Sequence, residues 1–262
     1  MHRLMEDFSF IDAHVHVNSR SPDDFRRLAA AGCRAVVAAA GPEAGFSSTA
    51  SLKDYFRRLH RVDRPRIEAC GLDCYLALGI HPRAARGRAL VRALGVMNRL
   101  LEEFQAAALG EVGLEEGGDL EKELLQLQLE IAREKDLPVI LHTPRRNKLR
   151  ALELSLELVQ KAALRPARVL LDHLDEAVLE LARSSGCWLG LSIHPAKLSP
   201  QQAAQLVCSL GGERLILSSD LGECEGWLFA LPAAACAMEE QGVAPEVIKR
   251  VCLQNAREFL GR

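Results

Sequence analysis

The stretch Phe10-Ile11-Asp12-Ala13-His14-Val15-His16 is an apolar run that closes on two histidines two positions apart. Side chains at i and i+2 of a strand share one face, so the spacing predicts that His14 and His16 leave the end of a first strand together. An open dinucleotide-binding sheet would follow that strand with a glycine-rich phosphate loop, and the sequence holds none there. Outward from Phe8–Val17, strand-like runs recur over Cys33–Ala40, Cys74–Pro82, Ala107–Leu114, Leu137–Thr143, Arg168–Leu174, Cys187–Ile193 and Arg214–Asp220. Helical patterns separate them, among them Leu90–Phe104 and Glu121–Asp136, with Leu120, Leu124, Leu127 and Ile131 as one apolar stripe. Ser21-Pro22 and Ser199-Pro200 read as helix starts, and Gly32 and Gly211-Gly212 as stops. Parallel strands need right-handed helical crossovers, so eight strand–helix units predict an α/β chain forming a single (β/α)8 TIM barrel, one domain over residues 1–262.

The 262 residues carry 33 Lys and Arg against 35 Asp and Glu, a balance that gives no global reason to bind nucleic acid or an anionic membrane. A hydrophobic share of 48% excludes a disordered chain. No apolar run has the length of a membrane span, and charged Met1–Asp7 leads straight into a strand, so no signal peptide is expected. Eight cysteines, none in a CxxC pair, read as reduced and mostly buried thiols, and the expected location is cytoplasmic. The loop Glu115-Glu116-Gly117-Gly118-Asp119 reads as the most flexible connection.

Six of the eight histidines fall at or near predicted strand ends: His14, His16, His81, His142, His173 and His194. Glu111 and Asp220 join them near the ends of the fourth and eighth strands. In a barrel those ends meet at one rim, where the βα loops build the site. Glu111 sits in Leu109-Gly110-Glu111-Val112-Gly113, where an ionised carboxylate is costly unless a positive charge meets it. His14, His16, His142, His173, Glu111 and Asp220 are more ligands than one zinc requires, and they suit two divalent ions with Glu111 shared. One ion takes His14, His16 and Asp220, the other His142 and His173. Zinc or manganese suits imidazole best, and magnesium stays open. Such a pair clamps a phosphoryl oxygen and acidifies water, and Asp220 is the base that takes the water's proton. Asp220 and Glu111 are therefore the catalytic candidates.

The first-strand motif, Leu78-Gly79-Ile80-His81-Pro82, Gly110-Glu111-Val112-Gly113-Leu114, Pro138-Val139-Ile140-Leu141-His142, Asp172-His173 and Ser219-Asp220 together resemble a TatD-type metal-dependent hydrolase. The motifs come in the family's order over nearly the whole chain. The resemblance implies an amidohydrolase-like barrel, a dinuclear site on those six ligands, and deoxyribonuclease or other phosphoesterase activity. This sequence departs from familiar TatD nucleases in Leu114-Glu115 where they tend to have Leu-Asp, in Leu174-Asp175-Glu176-Ala177 after His173, and in Leu221-Gly222 after Asp220. His142-Thr143-Pro144-Arg145-Arg146-Asn147-Lys148 is similar to a TatD-related branch. The ligands survive these departures, and the inference to DNA is weakened by them.

Two basic loops follow site strands, one with Arg145, Arg146, Lys148 and Arg150, the other with Arg83, Arg86 and Arg88. Arginine forks suit phosphate oxygens, so Arg145 and Arg146 are substrate-binding candidates, and the expected partner is an anionic or phosphorylated molecule. His81 is a third, orienting a phosphate or the attacking water. Two Trp and two Tyr give little stacking surface for DNA; Trp188 and Trp227 read as core or wall residues. The expected reaction is hydrolysis of a phosphoester, at an oligonucleotide end or on a small molecule. The competitors are amide, cyclic amide or lactone hydrolysis on the same metals, and a non-catalytic metal-binding scaffold.

Overall fold

A computed structural model describes residues 8–42, 46, 48–84, 87, 89–222 and 227–262. Cys224 and two arginines of the second basic loop, Arg86 and Arg88, lie outside them. Eight strands run parallel: β1 Phe10–Val15, β2 Cys33–Ala39, β3 Asp73–Ala77, β4 Leu109–Gly113, β5 Val139–His142, β6 Val169–Asp172, β7 Trp188–Ser192 and β8 Leu215–Ser218. Full ladders join β1 through β3 and β4 through β8. Single bridges close the ring, Ala77 with Ala108 between β3 and β4, and Val15 with Leu221 between β1 and the end of β8. His16 N–H donates to Leu221 O at 2.7 Å across the second seam. The result is the (β/α)8 barrel.

Its interior is filled by small and branched residues, among them Ile11, Ala13, Ala35, Val37, Ala77, Ala108, Ile140 and Ile216. Phe259 and Leu260 of the last helix pack against the same cluster, with the Phe259 ring 6.3 Å from that of Trp188. A second, larger layer lies between strands and helices, with Phe10, Val15, Val36, Leu109, Val112 and Leu141 on the strand side.

Two strands that carry site residues break their own alternation. Partners of β1 advance from Asp12 with Val36 to Val15 with Ala38, and those of β4 from Leu109 with Val139 to Val112 with Leu141. Each is one extra residue, a bulge that flips the side chains beyond it. In β1, Ile11 and Ala13 pack inward yet Val15 packs outward, so His14 and His16 turn into the barrel. In β4 the bulge lies around Gly110-Glu111, whose peptide bond is cis, with Ala108 inward before it and Val112 outward after it.

The strands are shorter than the sequence predicts. His81 lies four residues past β3, His173 one past β6 and Asp220 two past β8. His173 and Asp220 take left-handed backbone angles, φ 62° and 50°. The helical pattern Leu90–Phe104 is two helices, Ala89–Leu94 and Met97–Glu103, parted at Gly95-Val96. The Glu115–Asp119 loop is not a loose connection. Glu121 Oε2 accepts the N–H groups of Glu115, Glu116 and Gly117 at 3.0, 3.0 and 2.8 Å, tying the loop to the start of the helix Asp119–Glu134. Trp188 is a core residue, whereas Trp227 is 40% exposed rather than a wall.

Candidate metal centre

His14, His16, Glu111, His142, His173 and Asp220 converge at the C-terminal mouth of the barrel. Glu111 is buried at its centre, and its two oxygens face opposite ways. Oε2 lies 3.4 Å from His14 Nε2 and 3.6 Å from His16 Nε2. Oε1 lies 2.6 Å from His142 Nδ1 and 3.0 Å from His173 Nε2. Asp220 Oδ1 stands on the first side, 3.7 and 3.5 Å from the same His14 and His16 nitrogens.

Carbonyl and carboxylate oxygens only accept, so a neutral ring that donates to its outer partner leaves its inner nitrogen unprotonated, including where that nitrogen faces Glu111. His16 Nδ1 donates to Ala39 O at 3.2 Å, and His14 Nδ1 to Asp172 Oδ2 at 2.6 Å. His142 Nε2 donates to Glu115 Oε2 at 3.1 Å. The Ser192 hydroxyl is spent on Asp172 Oδ1 at 3.1 Å, so its oxygen accepts from His173 Nδ1 at 2.7 Å. Every neutral ring therefore turns a lone pair inward. The inner nitrogens of His14 and His16 then face each other at 3.3 Å beside two carboxylate oxygens. A set of acceptors this close has only protons or cations to hold it together. The donors are imidazole and carboxylate, and they fit divalent ions such as zinc or manganese.

His81 is different. Arg83 N–H donates to its Nδ1 at 3.0 Å, so Nε2 carries the proton, 3.5 Å from Glu111 Oε2 and without a hydrogen-bond partner. His81 Nε2, His142 and Glu111 are close enough to outline a third ligand group. The proton on Nε2 makes His81 a donor aimed into the site and not a ligand. Burial holds its pKa well below the usual imidazole range.

Without cations, the protons settle on the rings nearest the carboxylates. Burial opposes charge on His14, yet Glu111 and Asp172 hold its pKa well above the ordinary value. His142 is raised against burial in the same way by Glu111. Burial and the Lys197 ammonium lower His173. Glu111 is held well below the carboxylate range against its own burial, chiefly by His14 and also by His142. These shifts place the retained protons on His14 and His142, beside Glu111.

A cavity of about 310 Å³ opens over the cluster, walled by Arg83, Glu115, Arg145, His194 and Lys197. Arg146 is exposed and lines neither this cavity nor its neighbour. Lys197 Nζ pairs with Asp220 Oδ2, leaving Oδ1 to the histidines. Lys197, Asp172, Ser192 and Glu115 were not among the sequence candidates. Asp172 sat in the quoted Asp172-His173 motif, and its acid beside a ligand histidine was the available signal.

Barrel and donor set together define a metal-dependent hydrolase. A family model described as TatD related DNase matches residues 11–261, and the chain belongs to that family. It is 30% identical to an uncharacterized metal-dependent hydrolase of Methanocaldococcus jannaschii over 252 residues, 95% of this chain and 98% of the relative. Its structure is similar to that of a TatD-like protein from Archaeoglobus fulgidus, with TM-score 0.80, 31% identity, and 97% and 100% of the two chains covered. A phosphotriesterase homology protein of Escherichia coli shares the fold, with TM-score 0.73 at 14% identity over 97% of this chain and 99% of that one.

Proposed function

We propose that the protein hydrolyses a phosphoester with water activated at a two-cation centre. The observation that carries this reading is the division of Glu111, with Oε2 set toward His14 and His16 and Oε1 toward His142 and His173. His14, His16, Asp220 and Glu111 Oε2 would hold one divalent ion, and His142, His173 and Glu111 Oε1 the other. When bound, the ions supply Lewis-acid charge and bring the pKa of water toward neutrality.

The side chains divide the remaining work. Asp220, pinned at Oδ2 by Lys197, stands beside the His14–His16 pair and accepts the proton of the attacking water. His81, fully buried and outside the cavity lining, holds its Nε2 proton 3.5 Å from Glu111 Oε2 and steadies that carboxylate rather than touching the substrate. Arg145 and Lys197 meet the remaining charge on the substrate. That cationic rim favours a phosphoester over a neutral amide or lactone. The described lining holds no Phe, Tyr or Trp on which bases would stack, so a small phosphorylated molecule is favoured over DNA.

The test is a panel of phosphomonoesters, phosphodiesters, single-stranded DNA and lactones, assayed with added manganese or zinc. Turnover of a phosphoester, lost in Asp220→Asn, supports the reading. Turnover confined to lactones, or none in the whole panel, refutes it.

A further inference from the structure

Beside the main cavity lies a smaller pocket of about 160 Å³, and the two share the wall formed by Thr143, Arg145, His173, Ala196 and Lys197. Lys148 and Asp175 complete its polar lining. Lys148 Nζ pairs with Asp175 Oδ2 at 2.7 Å and donates to His173 O at 2.6 Å. Asp175 Oδ1 also accepts the Ala177 N–H at 3.2 Å. These two charges therefore neutralise one another and fix the floor. The cations left over are those on the shared wall. Arg145 has no ion-pair partner among the described residues, and Lys197 leans on Asp220, a carboxylate already facing two histidines.

A small concave site with surplus positive charge, next to a site for phosphoryl chemistry, suits a second anion on the same molecule. We propose that this side pocket takes the second phosphate of a small sugar- or polyol-like bisphosphate, while the first lies over the Glu111 cluster. The proposal rests on the phosphoester reading of the main cavity. Three observations favour a small molecule over a nucleic acid strand. Both cavities lie at or below the lower end of ligand-site volumes. Neither has an aromatic platform among its described lining residues. The net charge of −2 gives a polyanion no long-range attraction. Arg145 provides the selectivity, because its planar fork can span two phosphate oxygens where an ammonium meets them as a point.

The experiment compares fructose 1,6-bisphosphate with fructose 6-phosphate on the metal-loaded protein. Phosphate release gives kcat/KM where turnover occurs, and calorimetry gives Kd where it does not. The bisphosphate is expected to be favoured at least tenfold. In Arg145→Ala that advantage is expected to shrink below threefold, and in Arg150→Ala, a surface residue paired with Glu153, to persist. Lys197→Gln supplies a second variant should Arg145→Ala fold poorly by circular dichroism, with the same shrinkage expected. Equal preference for the two sugars, no binding of either, or an advantage that survives Arg145→Ala overturns the proposal. So does an oligothymidylate that outcompetes the bisphosphate. Preferred binding without turnover would leave the side pocket standing and remove the phosphoester chemistry. Equal turnover of both sugars would do the reverse.

Discussion

His14 Nδ1 donates to Asp172 Oδ2 across 2.6 Å, and the other oxygen of Asp172 reaches the opposite half of the site. Oδ1 accepts the His173 N–H at 2.8 Å and the Ser192 hydroxyl at 3.1 Å, and Ser192 in turn orients His173. One buried carboxylate thus sets the tautomer of a ring on each side of Glu111. Asp172→Asn keeps the shape and removes the charge. Outer partners of metal-binding histidines are typically worth ~10- to 100-fold in affinity. On the proposed two-cation reading, Asp172→Asn is therefore expected to weaken both sites by about that factor, as read by competition with a chelator. Loss at only one of the two ions would mean that the halves are oriented independently.

Gly190 lies in β7 directly behind that carboxylate. A Cβ there would stand 2.5 Å from Asp172 Oδ1 and 2.9 Å from Asp172 Cα, closer than packed atoms approach. The Cα belongs to the neighbouring strand and cannot swing aside as a flexible side-chain tip would. Gly190→Ala is expected to cost about 1–3 kcal/mol, the usual range for overpacking, and to lower cation affinity along with stability. Urea unfolding and metal titration on one preparation check the pair. A fold weakened with affinity intact would separate Gly190 from the site.

The sequence carried the alternation of strands and helices because each helix must bury a stripe with period 3.6 and each strand is a short apolar run. It carried the six site residues because hard chemistry collects at one end of a barrel. What it could not carry was aim. Straight alternation through Ile11 and Ala13 would turn His14 outward, and only the added residue in β1 returns it to the interior. The bulge around Gly110-Glu111 works in the same way for β4. A bulge has no composition signal apart from its glycines. His194-Pro195-Ala196-Lys197 reads in sequence as an ordinary rim loop, because the meeting of Lys197 with Asp220 spans 23 residues of chain and depends on where that loop folds. Arg145 and Arg146 look alike in sequence, and the turn into the helix Lys148–Lys161 brings only Arg145 to the cavity wall.

Cation removal should be visible as a loss of stability as well as of activity. The inward lone pairs and the buried Glu111 carboxylate are held together by charge, which bound ions would supply in the folded chain and not in the unfolded one. A ligand present at 100 times its Kd stabilises the fold by about 2.7 kcal/mol. For a chain of this size that corresponds to roughly 5–10 °C in melting temperature. Adding a chelator should lower the midpoint by that much, and restoring zinc or manganese should raise it again. An unchanged midpoint would show that protons alone keep the cluster in place.

Two thiols far from the mouth give a separate check on the core. Burial pushes Cys74 and Cys252 up to about 12, from an ordinary value of 9.0. In the unfolded chain both would ionise from about pH 9 upward, while the folded chain keeps its protons. The unfolded state then binds fewer protons, so stability falls as pH rises and is fully present only below the unfolded pKa. The slope is about 1.4 kcal/mol per pH unit for each thiol over that interval. Urea unfolding of Cys252→Ala at pH 8 and pH 10 isolates one of them. The variant starts less stable because a buried side chain is trimmed, yet its loss between the two pH values should be smaller than that of the unaltered chain by about 1.4 kcal/mol. Lysines and tyrosines titrate equally in both proteins and cancel from the difference. An equal loss in the two would mean that water reaches Cys252 and that the packing of the last helix against β1 and β8 is looser than its buried side chains indicate.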